Sequence, residues 1–247
     1  MCGRYVMARD VGDLVAEFDV DETYVDSLEP SYNIAPTDPV PIILDRRDKV
    51  SGDHSRKLVT ARWGLVPPWS KDTKSAARLI NARRETVTEK PSFRKAAASK
   101  RALVPADGYY EWEKREVPGA AEAAAKGVKI EKVPTFLHAS DGGVLAFAAL
   151  FENWPDPALP PDDPERWVRT CTILTGPASD SLGYIHDRTP VIVPRAMWAD
   201  WLDPETTGEA DVKALIDAMP EPHLTPRIVG SLVNSVRNNG PELIAPA

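Results

Sequence analysis

The chain has 247 residues, of which 43% are hydrophobic and 27% are charged, so it is long enough to bury a sizeable core within one domain. Its two cysteines are too few for a disulfide framework, and its four histidines lack the spacing of metal ligands, so we expect no metal or other cofactor. The net charge of −7 argues, on its face, against a nucleic acid as partner.

The chain begins Met-Cys-Gly-Arg-Tyr, without the basic and apolar regions of a signal peptide. No apolar run approaches the ~20 residues that a membrane span needs, so we expect a cytoplasmic protein without a membrane partner. Removal of Met1, which is usual before a residue as small as cysteine, would leave an amine and a thiol together on Cys2. Such an aminothiol suits an aldehyde, because the amine gives an imine and the thiol closes a five-membered thiazolidine ring.

The first predicted element is a short helix from Asp10, a good N-cap residue, to about Phe18. Prolines then enforce extended or turn geometry before a strand at 42–44. Further short strands bounded by Gly, Pro or Asp are predicted at 57–63, 103–106, 109–113, 135–139, 144–151, 169–175 and 191–193. Helical periodicity is convincing at 75–79, 195–202 and 211–219.

This order of elements predicts an α+β fold, with mainly antiparallel sheet in a barrel-like arrangement and a few flanking helices. We expect one domain over 1–247 and a monomer. The Ala-rich segment 114–132 and the Pro- and Asp-rich segment 153–166 are interpreted as surface loop insertions without catalytic roles.

The positive charge is concentrated in one window, residues 62–101, which holds eleven Lys and Arg against three Asp and Glu, a local charge of +8. The rest of the chain then carries −15. Because phosphate attraction is local and is screened within about 10 Å, such a window can bind an anionic polymer on a globally acidic protein. A solvated charged surface is the alternative interpretation.

Three further segments carry residues suited to chemistry beside Cys2. Asn81 follows two apolar residues and precedes two arginines, Glu111 lies among aromatic residues, and His186 precedes an apolar strand. Desolvation of Glu111 would raise its pKa toward a general acid/base role. Each residue also has an ordinary structural interpretation: Asn81 could cap a turn, Glu111 could pair with an arginine, and His186 could satisfy a loop carbonyl.

Six ordered motifs, taken together, are far more specific than any one of them. They are Met1-Cys-Gly-Arg, Asn33-Ile-Ala-Pro, Trp63-Gly-Leu-Val-Pro, Asn81-Ala-Arg-Arg-Glu, Gly108-Tyr-Tyr-Glu-Trp and His186-Asp-Arg-Thr-Pro. This pattern resembles the SRAP (SOS response-associated peptidase) family, whose members crosslink themselves to abasic sites in single-stranded DNA. The resemblance implies a sensor of abasic sites that acts in the DNA damage response and associates with the nucleoid when bound to DNA.

The resemblance also implies a role for each of four residues. Cys2 would be the covalent nucleophile, and Asn81 would hold the sugar or the terminal residue. Glu111 would move protons during imine formation and assist removal of Met1, which is the autopeptidase activity. His186 would act as acid or base near the sugar, helping ring opening and, where it occurs, lyase cleavage of the strand or reversal of the crosslink.

A second set of residues is expected to contact DNA beside the lesion. These are Arg4, Pro67, Pro68, Trp69, Arg83, Lys90 and Arg188. The cationic side chains would bind phosphates, Trp69 would stack on a base, and the two prolines would act as a wedge between strands.

Alternative functions remain at this point. One is an N-terminal nucleophile amidohydrolase, in which Cys2 attacks an amide and its own amine serves as base. Another is a non-catalytic module that binds nucleic acid or protein, for which blocking the amino terminus changes nothing. A general protease is less well supported, because the chain offers no Ser-His-Asp order.

Overall fold

A computed structural model of the chain describes residues 2–48, 51–74, 76–116, 130–178 and 182–247. Thirteen strands lie in these ranges: β1 (Tyr5–Met7), β2 (Glu22–Thr23), β3 (Ser31–Ile34), β4 (Pro39–Arg47), β5 (His54–Trp63), β6 (Asn81–Arg83), β7 (Arg101–Ala106), β8 (Gly108–Glu116), β9 (Ile130–His138), β10 (Leu145–Pro155), β11 (Trp167–Pro177), β12 (Arg188–Pro190) and β13 (Thr225–Ile228).

Helices are few and short. They are α1 (Val11–Glu17), α2 (Arg94–Ser99), α3 (Trp198–Leu202) and α4 (Glu209–Ala218), with 3₁₀ turns at Ala76–Arg78, Pro164–Arg166, Arg195–Met197, Ser231–Asn234 and Pro241–Ile244. Across the described ranges, no helix combines the length and the apolar character that crossing a membrane requires.

Five strands, β4, β5, β11, β10 and β7, close into a barrel. Neighbouring strands are antiparallel except β11 and β5, which run parallel with Cys171 opposite Trp63 and so close the ring. In β10 every residue from Leu145 to Phe151 is buried, which explains its uninterrupted apolar sequence. The predicted α+β fold with a barrel-like antiparallel sheet is confirmed, and the parallel closure is a feature that the strand pattern did not predict.

A second antiparallel sheet, with strand order β13-β9-β8-β1-β3, lies against the barrel. Side chains alternate along β1 between two apolar clusters. Tyr5 enters the barrel core, where its ring meets Trp63 at 5.4 Å and Phe147 at 6.0 Å, whereas Val6 faces a smaller cluster covered by the C-terminal segment. Because Cys2 belongs to the barrel core as well, β1 fixes the amino terminus against the barrel.

The predicted helix at the start of the chain forms as α1, and the Asp10 side chain caps it by accepting a hydrogen bond from the Asp13 amide at 2.8 Å. The helix predicted at 75–79 is only a 3₁₀ turn over Ala76–Arg78, and Ser75 lies outside the described residues. Helix α2 was not predicted, because its N-cap residue, Phe93, provides no side-chain hydrogen bond that would mark the start.

Strand pairing extends into both segments that the composition suggested were insertions. For 114–132, β8 continues to Glu116 and β9 begins at Ile130, and residues 117–129 lie outside the described ranges. For 153–166, β10 continues to Pro155, and a 3₁₀ turn over Pro164–Arg166 closes the segment.

Candidate active site

Cys2 is fully buried immediately before β1. Its Sγ lies 4.0 Å from the carbonyl oxygen of Arg4, the one partner recorded for the thiol within the described ranges. Burial raises the pKa of the Cys2 thiol well above its ordinary value, and the negative charge of Glu111 raises it further. With Met1 attached, the sulfur is therefore a neutral thiol at physiological pH.

Asn81 opens β6, which runs parallel to β11 with Asn81 opposite Ile173. This pairing aims the side-chain amide at the amino terminus, where Nδ2 donates a hydrogen bond to the Cys2 carbonyl at 2.8 Å. Oδ1 is buried and accepts no hydrogen bond from any residue that the structure describes. A buried acceptor of this kind is suited to a donor on a bound molecule, because leaving it unmatched is unfavourable.

Glu111 lies on β8 opposite Thr135, and only 4% of its surface is exposed. Burial raises the pKa of its carboxyl group, and the nearby His186 partly opposes that rise. Glu111 thus acts electrostatically on both Cys2 and His186, and the buried thiol and carboxyl group adjoin an imidazole side chain that is 31% exposed.

His186 lies in the turn before β12. Two neighbouring groups are within hydrogen-bonding distance of the same ring nitrogen, Nδ1. The backbone amide of Arg188 is 3.0 Å from Nδ1, and the Asp187 carboxylate is 2.7 Å from the same atom. The amide can donate only to an unprotonated Nδ1, whereas the carboxylate can accept only from a protonated one. The two contacts therefore need different hydrogen placements on the ring, one without and one with a hydrogen on Nδ1, and Asp187 was not singled out from the sequence.

Arg188 is held by an ion pair that the sequence did not reveal. Its Nη1 and Nη2 donate to the two carboxylate oxygens of Glu85 at 2.5 and 3.0 Å, and Nη2 also donates to the Thr175 carbonyl. Hydrogen bonding from Arg188 lowers the pKa of Glu85. Glu85 ends the Asn81 motif, so an acid inside the basic window was the one signal that could have indicated the pair.

Arg4 points away from the barrel core toward the C-terminal segment. Its Nη1 donates to Asn33 Oδ1 at 2.8 Å and to the Val233 carbonyl at 2.7 Å, and its guanidinium lies 5.5 Å from the centre of the Trp112 ring. Arg4 therefore anchors the chain end in this structure. Its predicted contact with DNA phosphate stays a prediction.

The other residues predicted to contact DNA differ in exposure. Pro67 is buried, Pro68 is exposed, and Trp69 has 56% of its surface exposed. Arg83 and Lys90 are exposed, and neither has an ion pair with another described residue. Because Arg83 pairs with Thr175 on β11, and Arg188 bonds the same Thr175 from β12, the two arginines flank one end of β11.

Within the described ranges, no group of three or more His, Cys, Asp or Glu side chains is arranged to hold a metal ion. The site consists instead of one thiol, one carboxyl group, one imidazole and one amide. Such a set can form a covalent bond to an electrophilic carbon and move protons around it.

Comparison with known proteins identifies the family of this chain. A sequence model of the SOS response associated peptidase (SRAP) family matches residues 1–236. The chain belongs to the SRAP family. It is 36% identical over 245 residues to the abasic site processing protein YoqW of Bacillus subtilis, which covers 99% of both chains. It is also 31% identical to the abasic site processing protein HMCES of Xenopus tropicalis, covering 89% of this chain and 67% of that one.

Solved structures share the SRAP fold seen here. A protein from Bacteroides thetaiotaomicron superposes over the whole of both chains with a TM-score of 0.75 at 22% identity. A protein from Bordetella bronchiseptica covers 93% of this chain and all of its own, with a TM-score of 0.67 at 25% identity. Proteins with only 22–25% sequence identity to this chain thus share the barrel and the second sheet.

Proposed function

We propose that this SRAP protein processes abasic sites in single-stranded DNA by forming a covalent thiazolidine crosslink through Cys2 after Met1 is removed. The hydrogen bond from Asn81 Nδ2 to the Cys2 carbonyl carries the proposal, because it fixes the residue that would bear both nucleophiles. Its relatives are named abasic site processing proteins. The protein would act as a monomer on damaged DNA at the nucleoid.

The reaction releases one water molecule, and all other atoms of the protein and the sugar remain in the crosslinked product. The free amine of Cys2 adds to the aldehyde of the ring-opened abasic sugar, and the resulting carbinolamine loses water to give an imine. The thiol then adds to the imine carbon while its proton passes to the nitrogen, which closes the five-membered ring. A neutral buried thiol suits this order, because the amine attacks first and the sulfur follows.

Glu111 and His186 are the groups that would move these protons. A carboxyl group whose pKa is raised by burial can protonate the departing hydroxyl and later accept a proton, which is general acid/base catalysis. The same carboxylate would activate water for cleavage of the bond between Met1 and Cys2. His186, with a hydrogen-bond donor and a hydrogen-bond acceptor beside Nδ1, would assist ring opening and any strand cleavage.

The DNA strand would follow the end of β11. Arg83 and Arg188 flank that end, so we expect both to bind phosphates next to the lesion, with Lys90 further along the strand. The exposed Trp69 would stack on a neighbouring base beside Pro68. Pro67 would support this wedge from beneath, and Arg4 would bind phosphate only after releasing part of its hold on the C-terminal segment.

The test is a denaturing gel of tag-free protein with an oligonucleotide that carries one abasic site. We expect a shifted band that survives heat and detergent, and no band with an analogue that lacks the aldehyde. Cys2→Ala should abolish the band, and so should a retained extension before Cys2. The matched control is Cys171→Ala, since Cys171 is an equally buried cysteine on β11 and should leave the band intact.

A band that persists with Cys2→Ala or with a blocked amino terminus contradicts the aminothiol chemistry. Release of ammonia from glutamine or another amide, without any band, would instead support the N-terminal nucleophile amidohydrolase. Mass spectrometry of the purified protein gives a separate readout of Met1 removal, which Glu111→Gln should slow.

A further inference from the structure

An open cavity lies at the other end of the barrel from Cys2. Its volume is about 500 Å³, and it is lined by Thr60, Asn153, Trp167 and Arg169. Arg169 precedes Ile173, the residue paired with Asn81, by four positions on β11, a separation of about 13 Å at ~3.3 Å per residue. The cavity is therefore separate from the candidate active site.

Strand register explains how polar groups reach this end of the barrel. Phe151 pairs with the core residue Cys171, and two positions further along the same face Asn153 pairs with Arg169. The face that fills the barrel centre with apolar side chains thus ends in an amide and a guanidinium. Arg46 on β4 does not line the cavity but lies beside this face, with its guanidinium 4.8 Å from the centre of the Phe151 ring.

The two arginines at this mouth are half-buried without a carboxylate to neutralise them. Neither Arg46 nor Arg169 has an ion pair with any described residue, and Arg169 Nε is buried with no partner in those ranges. Burial lowers the pKa of both guanidinium groups, and the positive charge of Arg169 lowers that of Arg46 further. The two cations therefore lie close enough to repel each other.

The carboxylate that acts on Arg46 already has other partners. Glu152 influences Arg46 electrostatically, but its Oε1 accepts from Lys100 Nζ and from the backbone N–H of Asn153. Glu152 thus forms its ion pair with Lys100, and neither arginine has an ion pair with a described residue, although Arg169 Nη1 donates to the Thr60 carbonyl at 3.5 Å. Two half-buried guanidinium groups without ion pairs are suited to an anion with several oxygens, such as phosphate.

The rim adds an aromatic surface. Trp167 has 59% of its surface exposed, although it begins β11 and pairs with Pro155 on β10. An exposed indole beside a cationic cavity offers a stacking surface for a planar ring. Asn153 adds an amide that can both donate and accept hydrogen bonds.

We propose that the barrel mouth lined by Thr60, Asn153, Trp167 and Arg169, with Arg46 beside it, binds a free nucleoside 5′-phosphate, a mono- or diphosphate. The phosphate would lie between the two guanidinium groups, and the base would stack on Trp167. The cavity volume falls within the range of about 300–1,000 Å³ that small-molecule sites occupy.

Isothermal titration calorimetry of the full chain with AMP and ADP at low salt tests this site. We expect both nucleotides to bind, with adenosine and inorganic phosphate at least about ten-fold weaker, because each lacks half of the recognised groups. Arg169→Gln and Trp167→Ala should each weaken AMP binding about ten-fold or more. Circular dichroism confirms that each variant is folded.

Arg47→Gln is the matched control, because Arg47 follows Arg46 on β4 but is exposed and pairs with Glu205 at 3.4 Å. It should leave AMP affinity unchanged. Cys2→Ala should also bind AMP normally, and Arg169→Gln should still crosslink abasic DNA at the unaltered rate. These two results distinguish a failure of this site from a failure of the proposed function.

Four results would overturn the inference. The first is that AMP does not bind at concentrations up to about 10 mM. The second is that Arg169→Gln and Trp167→Ala leave the affinity for AMP unchanged, and the third is that inorganic phosphate binds as tightly as AMP. The fourth is binding of a 5′-phosphorylated oligonucleotide while AMP does not bind, which would mean that the mouth recognises a strand end rather than a free nucleotide.

Discussion

The Cys2 carbonyl and the Asn81 side chain come from segments 79 residues apart, and one hydrogen bond of 2.8 Å joins them. This bond fixes the direction in which the Cys2 amine and thiol face. A small misplacement of a reacting group can slow a reaction about 100-fold, because its orientation is part of the activation free energy.

Replacing Asn81 by Asp tests this positioning. A carboxylate keeps the shape of the side chain but can only accept, so it would repel the Cys2 carbonyl. We expect Asn81→Asp to lower the single-turnover rate of crosslinking by about 10- to 100-fold, with Asn81→Ala between this variant and the wild type. Equal rates for Asn81→Asp and wild type, in variants shown to be folded, would contradict the role.

Glu111 connects the chemistry of the site to its stability. Because burial raises its folded-state pKa above the unfolded value, the protonated form favours the folded state. That contribution is complete below the unfolded pKa and is lost as the pH rises through the folded pKa. Above the unfolded pKa, the titration of Glu111 therefore makes the folded state less stable than a neutral side chain in its place would.

Glu111→Gln should consequently be more stable than wild type at neutral pH. We expect its Tm to be higher by roughly 2–4 °C at pH 8 for each 1 kcal/mol gained, and the difference to vanish near pH 4. Thermal unfolding followed by circular dichroism from pH 4 to pH 8 measures this difference. A Tm difference that stays constant with pH would mean that the carboxyl group does not titrate differently in the folded state.

At the scale of the elements, β8 brings Glu111 to the site by pairing with both β1 and β9. The close approach of these strands depends on Gly108, where an added Cβ would lie 2.5 Å from the Leu137 carbonyl oxygen and 2.5 Å from the Phe136 ring. Both neighbours are buried, so neither can move aside at little cost.

Gly108→Ala should therefore destabilise the fold by about 1–3 kcal/mol and slow crosslinking, because the start of β8 must shift. Gly230→Ala is the matched control, since an added Cβ there meets no atom within 4 Å. Urea denaturation of the two variants measures the difference. A Gly108→Ala protein as stable as Gly230→Ala would show that β8 accommodates the methyl group.

Elements marked by local sequence patterns could be predicted, whereas features that depend on pairing between distant segments could not. The Asp10 cap and the apolar runs of β7, β10 and β11 predicted their elements, because caps and runs act over a few residues. The three predicted strands were shorter than the strands that form, since pairing with a neighbour extends a strand beyond its apolar part. Helix α2 lacks a side-chain cap and was missed.

The site shows the same division. Cys2, Asn81, Glu111 and His186 were proposed from ordered motifs, and the structure brings them together. The pairing of Arg188 with Glu85 spans 103 residues, and that of Arg4 with Val233 spans 229. No spacing rule reaches that far, so only the folded structure could reveal that two arginines expected to bind DNA already have protein partners.

At the scale of the whole molecule, the charge is divided rather than uniform. The window 62–101 carries +8 within a chain of net charge −7. Glu85 lies inside this window and forms an ion pair with Arg188, which lies outside it. Attraction between exposed charges is screened over about 8–10 Å in physiological salt. A DNA strand beside Arg83 and Arg188 would therefore respond to the local charge more than to the net charge.

Glu85→Gln tests this whole-molecule balance, because it removes one acid and releases Arg188 at the same time. We expect tighter binding of undamaged single-stranded DNA and a plot of log Kobs against log salt that is steeper by about 0.7 for the one added phosphate contact. Arg83→Gln should change the slope by about the same amount in the opposite direction. Fluorescence anisotropy of a labelled oligonucleotide across a salt series measures both slopes. Binding that ignores salt, or a Glu85→Gln slope equal to that of the wild type, would mean that the strand does not pass along this end of β11.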